Sequence, residues 1–471
     1  KGNYDTYKQV KPTYEDPFPL DDTFFLCSRM TGHTEEMGIY LIDRFGNETL
    51  VHRSPPGCYD PMPVRAHPAP PQPPPRRDLD EEDATVYVLD VYEGTHMQGV
   101  ERGAAKYLRV VESPEKRFFV PEQRWGGQGQ HNPAMSWHDF NNKRILGTVP
   151  VEADGSAHFR VPADTFVYFQ VLDDRGMMVQ SMRSGVMFQP GETMGCVGCH
   201  ENRRTAPPPA RDMAAEAVTR APSPLEGWYG PPRLFNYRTE VQPVFDRHCV
   251  RCHDYGEKGA KKLNLAGDQT LTFNTSFNEL WRKNLIAAIG AGPADIQPAY
   301  SWGAHASRLV EVLDAGHQDL ELDAESFDRI VTWIDINAPY YPRYASAYPH
   351  NLTGRAPIGP PALARLEELT GVPFAKLASH HGNKGPQVSF QRPALSPCLD
   401  TIEDKESAVY REALEIIQAG ADRLAERPRA DMPGFQLEGV DAARQAKYAA
   451  RRAIEARNRA AIRTGRRVYD E

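Results

Sequence analysis

The chain has 471 residues, which is more than one hydrophobic core usually supports, so we expect two to four domains. Its formal net charge is -8, and an acidic chain offers no basic field to a phosphate backbone, so nucleic acid is excluded as an expected partner. The sequence has no run of about 18 apolar residues, so we expect no transmembrane segment. Its 41 prolines favour many loops and linkers between the domains.

Short β-rich runs alternate with turns near the start of the chain. The runs at 38–43 and 48–52 flank Phe45-Gly46-Asn47, and this pattern predicts a hairpin. We interpret residues 1–65 as a β-propeller-like terminal blade. Because one blade cannot bury both of its faces, further blades are expected before residue 1.

A proline-dense segment then separates this blade from the next predicted domain. Residues 66–83 are expected to form an extended linker, since proline lacks the N–H group that ladders and helices need. Residues 84–204 are predicted to form a β-sandwich-like middle domain that ends in a haem-binding motif. The predicted strands of this domain are 85–91, 107–111, 145–151, 157–161 and 165–172.

The spacing of apolar residues becomes helical after a second polar, proline-rich linker at 205–234. We predict a helical cytochrome c domain at 235–345. The remainder, 346–471, is predicted to be a loop and helical C-terminal extension, in which the helices between 405 and 467 are peripheral. The fold class is therefore multidomain α+β. The predicted amphipathic helices are 241–248, 277–289, 307–313 and 324–336, with further helical spacing between 405 and 467.

Two CxxCH motifs carry the clearest chemical signal in the sequence. In a c-type cytochrome the two thiols bind the haem vinyl groups and the following histidine ligates the iron. The alternative is a zinc site in which two CxxC pairs supply four thiolates, but zinc does not explain a histidine after both pairs. We therefore predict two covalently bound haem c groups, with zinc as the less favoured cofactor. The predicted haem-binding residues are Cys196, Cys199 and His200 in the first motif and Cys249, Cys252 and His253 in the second.

The other axial ligand of the second haem can be narrowed by elimination. No methionine lies between Met213 and Met432, so a methionine from within the helical domain is excluded. The candidates in that domain are His305 and His317, and an open site or a ligand from elsewhere are further alternatives. We predict His317 as the iron ligand, because it follows Gly316 on a turn after a predicted helix.

The sequence does not select the distal ligand of the first haem. A free thiol at Cys58 could ligate a metal near this haem, although we favour a packed, unreactive cysteine. The pair at 380–381 is interpreted as part of a solvated loop. Most of the upstream methionines are expected to pack in a core. The candidate ligands are His131, His138, Tyr168, Met177, Met178, Met182, Met187 and Met194.

The runs at 146–151, 180–184 and 189–201 resemble the hydrazine synthase alpha subunit middle-domain family of planctomycete-type dihaem cytochrome c proteins. The resemblance extends to the predicted blade, to 242–253 and to 303–319. It implies a β-propeller, a middle β domain that ends in one haem, and a helical domain with a bis-histidine haem.

The resemblance also implies unusual chemistry at the first haem. In the family the motif histidine binds zinc, a tyrosine four residues later ligates the iron, and an upstream cysteine helps to hold the zinc. The corresponding positions in this chain are His200, Arg204 and Cys58. Because arginine cannot replace a phenolate on iron, we expect His200 to ligate the iron, and hydrazine synthesis is not favoured.

Two functions from different classes fit these motifs. The favoured one is electron transfer in an extracytoplasmic redox complex, with a redox protein or other subunits as partners. The alternative is a haem enzyme that acts on a small nitrogen or oxygen compound at an open first haem. Haem is attached to CxxCH on the outer side of the bacterial inner membrane, so a periplasmic or otherwise extracytoplasmic location is expected.

Overall fold

The computed structural model describes residues 11–32, 36–66, 69, 71, 74–94, 96–116, 142–199, 215–289, 297–374 and 385–465. The chain divides into two compact units, 1–74 and 75–471. This division falls inside the segment that the sequence predicts to be a linker. None of the helices within these ranges is long and apolar enough to cross a membrane.

The first unit is a four-stranded antiparallel sheet in which each strand pairs with the next one in the chain. The predicted turn between the last two strands is present: Gly46 has a φ of +93°, and the carboxylate of Asp43 accepts hydrogen bonds from the amides of Phe45 and Asn47. All residues of the fourth strand are exposed. The strands are β1 (Tyr14–Pro19), β2 (Phe24–Met30), β3 (Met37–Asp43) and β4 (Glu48–His52).

Two sheets at the start of the second unit share one hydrophobic core. Val86 and Phe159 come from one sheet and Val110, Val149 and Val171 from the other, and all five are buried in the same cluster. The strands are β5 (Asp83–Val88), β6 (Tyr107–Glu112), β7 (Arg144–Pro150), β8 (Ala157–Pro162), β9 (Val167–Leu172), β10 (Met178–Ser181) and β11 (Thr193–Cys196), in the orders β10-β9-β6-β7 and β11-β5-β8.

Five of these seven strands correspond to predicted ones, and β10 and β11 do not. Both strands are four residues long, and neither shows the alternation of apolar and polar residues that marks a half-buried strand. All four residues of β10 are buried, and three of the four residues of β11 are exposed. β11 pairs in parallel with β5, so that Cys196 lies opposite Val88. The first CxxCH motif therefore begins at the last residue of a strand.

The helical part has an aromatic core in which Tyr237, Phe277, Trp333 and Tyr340 are buried together. The predicted helix at 277–289 is wrong in its second half, because Asn284 takes a left-handed φ of +52° and the helix ends before it. The helices are α1 (Tyr237–Glu240), α2 (Gln242–His248), α3 (Val250–His253), α4 (Thr275–Arg282), α5 (Arg308–Asp314) and α6 (Ala324–Asp335).

The C-terminal region builds a third hydrophobic core, so the prediction of peripheral helices between 405 and 467 is wrong for α8, although α9 is peripheral. Leu366, Ile417 and Leu424 are buried in this core. The apolar side chains of α8 recur every three to four residues and form a stripe that packs inward. In α9, by contrast, Ala461 is the one buried residue. The helices are α7 (Pro360–Thr370), α8 (Ala408–Glu426) and α9 (Gly439–Arg463).

A buried polar joint connects the two-sheet part to the helical part. Arg109 of β6 donates a hydrogen bond to the hydroxyl of Thr332 in α6 over 2.7 Å. Asp335 accepts hydrogen bonds from the amides of Met178 (2.8 Å) and Ala304 (2.7 Å), and it lies 3.9 Å from the Arg109 guanidinium. The joint therefore ties the sheet that precedes the first motif to the helices that carry the second.

This joint predicts a pH-dependent stability. Burial raises the pKa of Asp335 from its ordinary value of 3.8 to about 6, although Arg109 and the two amide donors lower it. A carboxyl whose pKa is higher in the folded state stabilises the protein fully below its unfolded pKa and loses that contribution as the pH rises to its folded pKa. We expect a loss of about 2 kcal/mol between pH 4 and pH 6, out of about 3 kcal/mol for the complete titration.

The measurement is the free energy of unfolding of the wild-type protein minus that of an Asp335→Asn variant, taken across this pH range. The subtraction removes the contribution of other titrating groups. A difference that is constant from pH 4 to pH 6 would contradict the prediction.

Candidate functional site

The second CxxCH motif lies on a one-turn helix at the surface. The amides of Cys252 and His253 donate to the carbonyl of Cys249 over 3.1 and 3.0 Å. Cys249 is half-buried and Cys252 is exposed, and neither forms a disulfide. Burial, together with the nearby Cys252, raises the pKa of Cys249 to about 11. Because neither thiol is in a disulfide, both are available for covalent attachment of a cofactor.

The histidine of this motif is oriented by a backbone carbonyl. Nδ1 of His253 lies 2.7 Å from the carbonyl oxygen of Leu263. Since a carbonyl can only accept, Nδ1 must carry the proton, and the lone pair of the ring is on Nε2. A histidine that ligates a metal typically donates its other ring N–H in this way.

His317 faces His253, although the two are far apart in sequence. The centroids of their rings are 6.0 Å apart and the ring planes are inclined by 44°. A metal about 2 Å from one nitrogen of each imidazole would place the two ring centroids at about this separation. The residues present therefore fit a haem iron held between two imidazoles, as the sequence predicts for this pair.

The turn that presents His317 has an unusual backbone. Gly316, Gln318 and Asp319 have φ values of +73°, +55° and +56°. Residues other than glycine rarely adopt this left-handed region, and such residues cluster at functional sites. The left-handed residues on both sides of His317 therefore set the conformation of the turn that positions its side chain.

The alternative ligand, His305, is engaged elsewhere. Its Nε2 lies 2.9 Å from the Oδ2 atom of Asp173, and its ring packs edge-on against Tyr300 with the centroids 4.9 Å apart. Burial raises the pKa of Asp173, but the hydrogen bonds from His305 and from the amide of Met177 lower it by more. His305 thus stabilises the contact between a sheet turn and the helical part.

The first motif is fixed by the segment that follows β5. The amide of Leu89 donates to the carbonyl of Cys196, and the amide of Cys199 donates to the carbonyl of Glu93, both over 2.9 Å. A Cβ atom added at Gly198 would lie 2.3 Å from the Glu93 carbonyl oxygen. Glycine is therefore required for this close approach, and the two cysteines are held on a rigid loop.

The described residues do not select a distal ligand for the first motif. His131, His138, His200, Arg204 and the pair at 380–381 lie outside them. Among the remaining candidates, Tyr168 and Met177 pack in the helical core and Met182 against the core between the sheets. Met178 is buried beside Leu172 and Trp302, whereas Met187 and Met194 are exposed. Cys58 belongs to the first unit, where its thiol lies 3.7 Å from the carbonyl oxygen of Ser54.

The two cysteine pairs lie against different hydrophobic cores. Cys196 and Cys199 pack against the core between the sheets, and Cys249 packs against the helical core. Within the described ranges, no group of three or more His, Cys, Asp and Glu side chains is arranged to hold a metal ion. The four motif cysteines therefore do not form one tetrathiolate site in this structure.

Two contributors to the second site are missing from the sequence-based prediction. Leu263 acts through its backbone carbonyl, which leaves no side-chain signal in a sequence. Arg392 contacts the residue after His253 from 138 positions further along the chain. For His317 the local signal was Gly316, which marks the turn before it.

Fold and site together define a multidomain protein of β sheets and helices in which one CxxCH motif follows a sheet and the other lies on a helix. Residues 103–201 match the hydrazine synthase alpha subunit middle domain family. The chain therefore carries a domain of the hydrazine synthase alpha type, and the resemblance inferred from the sequence is confirmed.

Two comparisons with individual proteins agree with this assignment. The chain is 24% identical to hydrazine synthase subunit alpha of Kuenenia stuttgartiensis over 212 residues, which cover 33% of this chain and 26% of the relative. It also resembles the solved structure of Kuenenia stuttgartiensis hydrazine synthase, with a TM-score of 0.51, 19% identity, and coverage of 69% of this chain and 55% of the other. The match thus spans about a quarter of the curated relative's length, and the structural likeness confirms a multidomain fold of β sheets and helices.

Proposed function

We propose that this chain is a dihaem c-type cytochrome that transfers electrons within an extracytoplasmic redox complex. The observation that carries this proposal is the pair of opposed imidazoles of His253 and His317, with ring centroids 6.0 Å apart beside two thiols at CxxC spacing. The hydrogen bond from Nδ1 of His253 to the carbonyl of Leu263 supports it, because that bond leaves the lone pair on Nε2, as in histidines that ligate a metal.

The residues of the chain have distinct roles in this proposal. Cys249 and Cys252 would bind the second haem covalently, and His253 and His317 would ligate its iron. Cys196, Cys199 and His200 bind the first haem. A haem held in this way supplies one-electron chemistry. With His253 and His317 both on the iron, the second site would exchange electrons and would leave no position for a substrate.

The same proposal covers the finer architecture. The first unit is a β-propeller blade, the two-sheet part is a β-sandwich, and residues 235–345 are a cytochrome c domain. The relative from Kuenenia stuttgartiensis is a subunit, and this supports other subunits or a redox protein as partners. Arg204 stands where the family has an iron-ligating tyrosine, so the proposal does not include hydrazine synthesis.

The direct test is the covalent haem content of the purified full-length chain. After denaturation and extraction with acid acetone, the protein should keep a pyridine haemochrome spectrum, and its intact mass should include two haem groups. A variant with Cys249→Ala and Cys252→Ala should lose one of the two. A Cys398→Ala variant, changed at a buried cysteine outside both motifs, should keep both. Protein without covalent haem, or located in the cytosol, would contradict the proposal.

A spectrum of the reduced protein with carbon monoxide separates this proposal from a haem enzyme. Two six-coordinate irons should give no shift on addition of carbon monoxide. A shift in about half of the haem absorbance would instead indicate an open first haem and favour catalysis there.

A further inference from the structure

A cation from the C-terminal region contacts the polypeptide directly after His253. Nη1 of Arg392 donates to Oδ2 of Asp254 over 2.9 Å, and Nη2 donates to Oδ1 of the same carboxylate over 2.5 Å. Nε of Arg392 donates to Oδ1 of Asp268 over 2.8 Å. The guanidinium also lies over the ring of Tyr255, 4.8 Å from its centroid. One side chain thus joins three residues around the second motif.

The segment that carries Arg392 is itself fixed. The amide of Phe390 donates to the carbonyl of Gln269 over 2.9 Å, and the hydroxyl of Ser389 donates to Asp268 over 2.5 Å. The ring of Phe390 is buried in the third core. Arg392 therefore extends from a packed platform that lies outside the helical domain predicted to bind the haem.

The geometry of these contacts suits arginine and not lysine. A planar guanidinium can donate two parallel hydrogen bonds to one carboxylate and a third to another, whereas an ammonium is a point charge on a flexible stem. Asp254 is adjacent to His253 in the chain, so a fixed Asp254 also fixes the backbone that carries the imidazole. Contacts behind a metal ligand of this kind orient the ligand and tune the metal.

We propose that Arg392 is a positioning residue for the second haem, through which the C-terminal region holds the motif and raises the reduction potential. This inference rests on the proposed function, since it requires a haem at Cys249 and Cys252. Arg392 holds the segment after His253 in place. Its positive charge disfavours the additional positive charge of the oxidised iron, so removal of the guanidinium shifts the potential downward.

The first test is a potentiometric titration of the full-length protein and three variants. Arg392→Gln should lower the midpoint potential of one haem and leave the other unchanged. Arg392→Lys keeps the positive charge but loses the planar guanidinium that donates paired hydrogen bonds, and it should give an intermediate potential. The matched control is Arg365→Gln, because Arg365 also bridges two carboxylates in the C-terminal region, those of Glu368 and Glu412. Unchanged potentials in a folded Arg392→Gln variant, or an equal shift in the control, would overturn the proposal.

The second test is hydrogen exchange, which does not depend on haem. Arg392→Gln should speed exchange of the amides between residues 254 and 265, including Leu265, which donates to the carbonyl of His253 over 2.8 Å. Arg365→Gln should leave them unchanged. If the wild-type protein carries no haem at the second motif, the proposed function fails, while the exchange rates still decide whether Arg392 holds the segment after His253. Equal exchange in the wild type and in Arg392→Gln would show that Arg392 does not hold this segment.

Discussion

Replacement of His317 by alanine is expected to convert the haem proposed at the second motif from a low-spin, six-coordinate state to a high-spin state. The reason is that the ring of His317 lies 6.0 Å from that of His253 and would supply the second axial nitrogen. About half of the total haem should change, since the first haem keeps its own ligands. The measurement is the absorption and electron paramagnetic resonance spectrum of the oxidised protein.

His317 is exposed, so its removal should not unfold the protein. Imidazole added in solution should refill the axial position and restore the low-spin spectrum. The control is His305→Ala, which breaks the contact with Asp173 and should leave the spin state unchanged. A low-spin spectrum in His317→Ala, or a spin change in His305→Ala, would move the ligand assignment away from His317.

Replacement of Arg109 by methionine is expected to lower the free energy of unfolding by about 3 to 5 kcal/mol. The variant keeps most of the side-chain volume but removes the cation that lies 3.9 Å from the buried carboxylate of Asp335. It also removes the donors to Thr332 (2.7 Å) and to Gln170 (3.2 Å), both of which are buried. A buried charge without its partner is strongly destabilising, and this loss is a large share of the stability of a typical domain.

The matched control is Arg175→Met. Arg175 pairs with Asp314 over 2.7 Å and joins the same two parts of the second unit, but the two side chains are 44% and 43% exposed. Solvent screens an exposed pair, so this variant should lose less than about 1 kcal/mol. Denaturant midpoints measured by circular dichroism compare the two variants. Equal losses of unfolding free energy in the two variants would show that burial does not account for the effect of Arg109 on stability.

The regular elements were predictable where a local pattern reports them. Strands such as β8 and β9 alternate apolar and polar residues or form short apolar runs, and α6 has an apolar stripe, so their positions follow from sequence periods. The pattern fails at α4, which a left-handed Asn284 shortens, and at β11, whose pairing with β5 involves residues about a hundred positions apart. It also fails to show that α8 is buried, because its partners are distant in sequence.

The sequence by itself predicts the chemistry proposed for the two CxxCH motifs, since five consecutive residues carry the pattern of thioether attachment and of one iron ligand. It also excluded a methionine from within the helical domain as the opposite ligand, and left His305, His317, an open site or a ligand from elsewhere as alternatives. Only the tertiary structure brings His317 to His253 and His305 to Asp173, and so favours His317. It alone brought Arg392 to Asp254 and Arg109 to Thr332. Such contacts depend on how packed elements meet, and no local period of the sequence records that geometry.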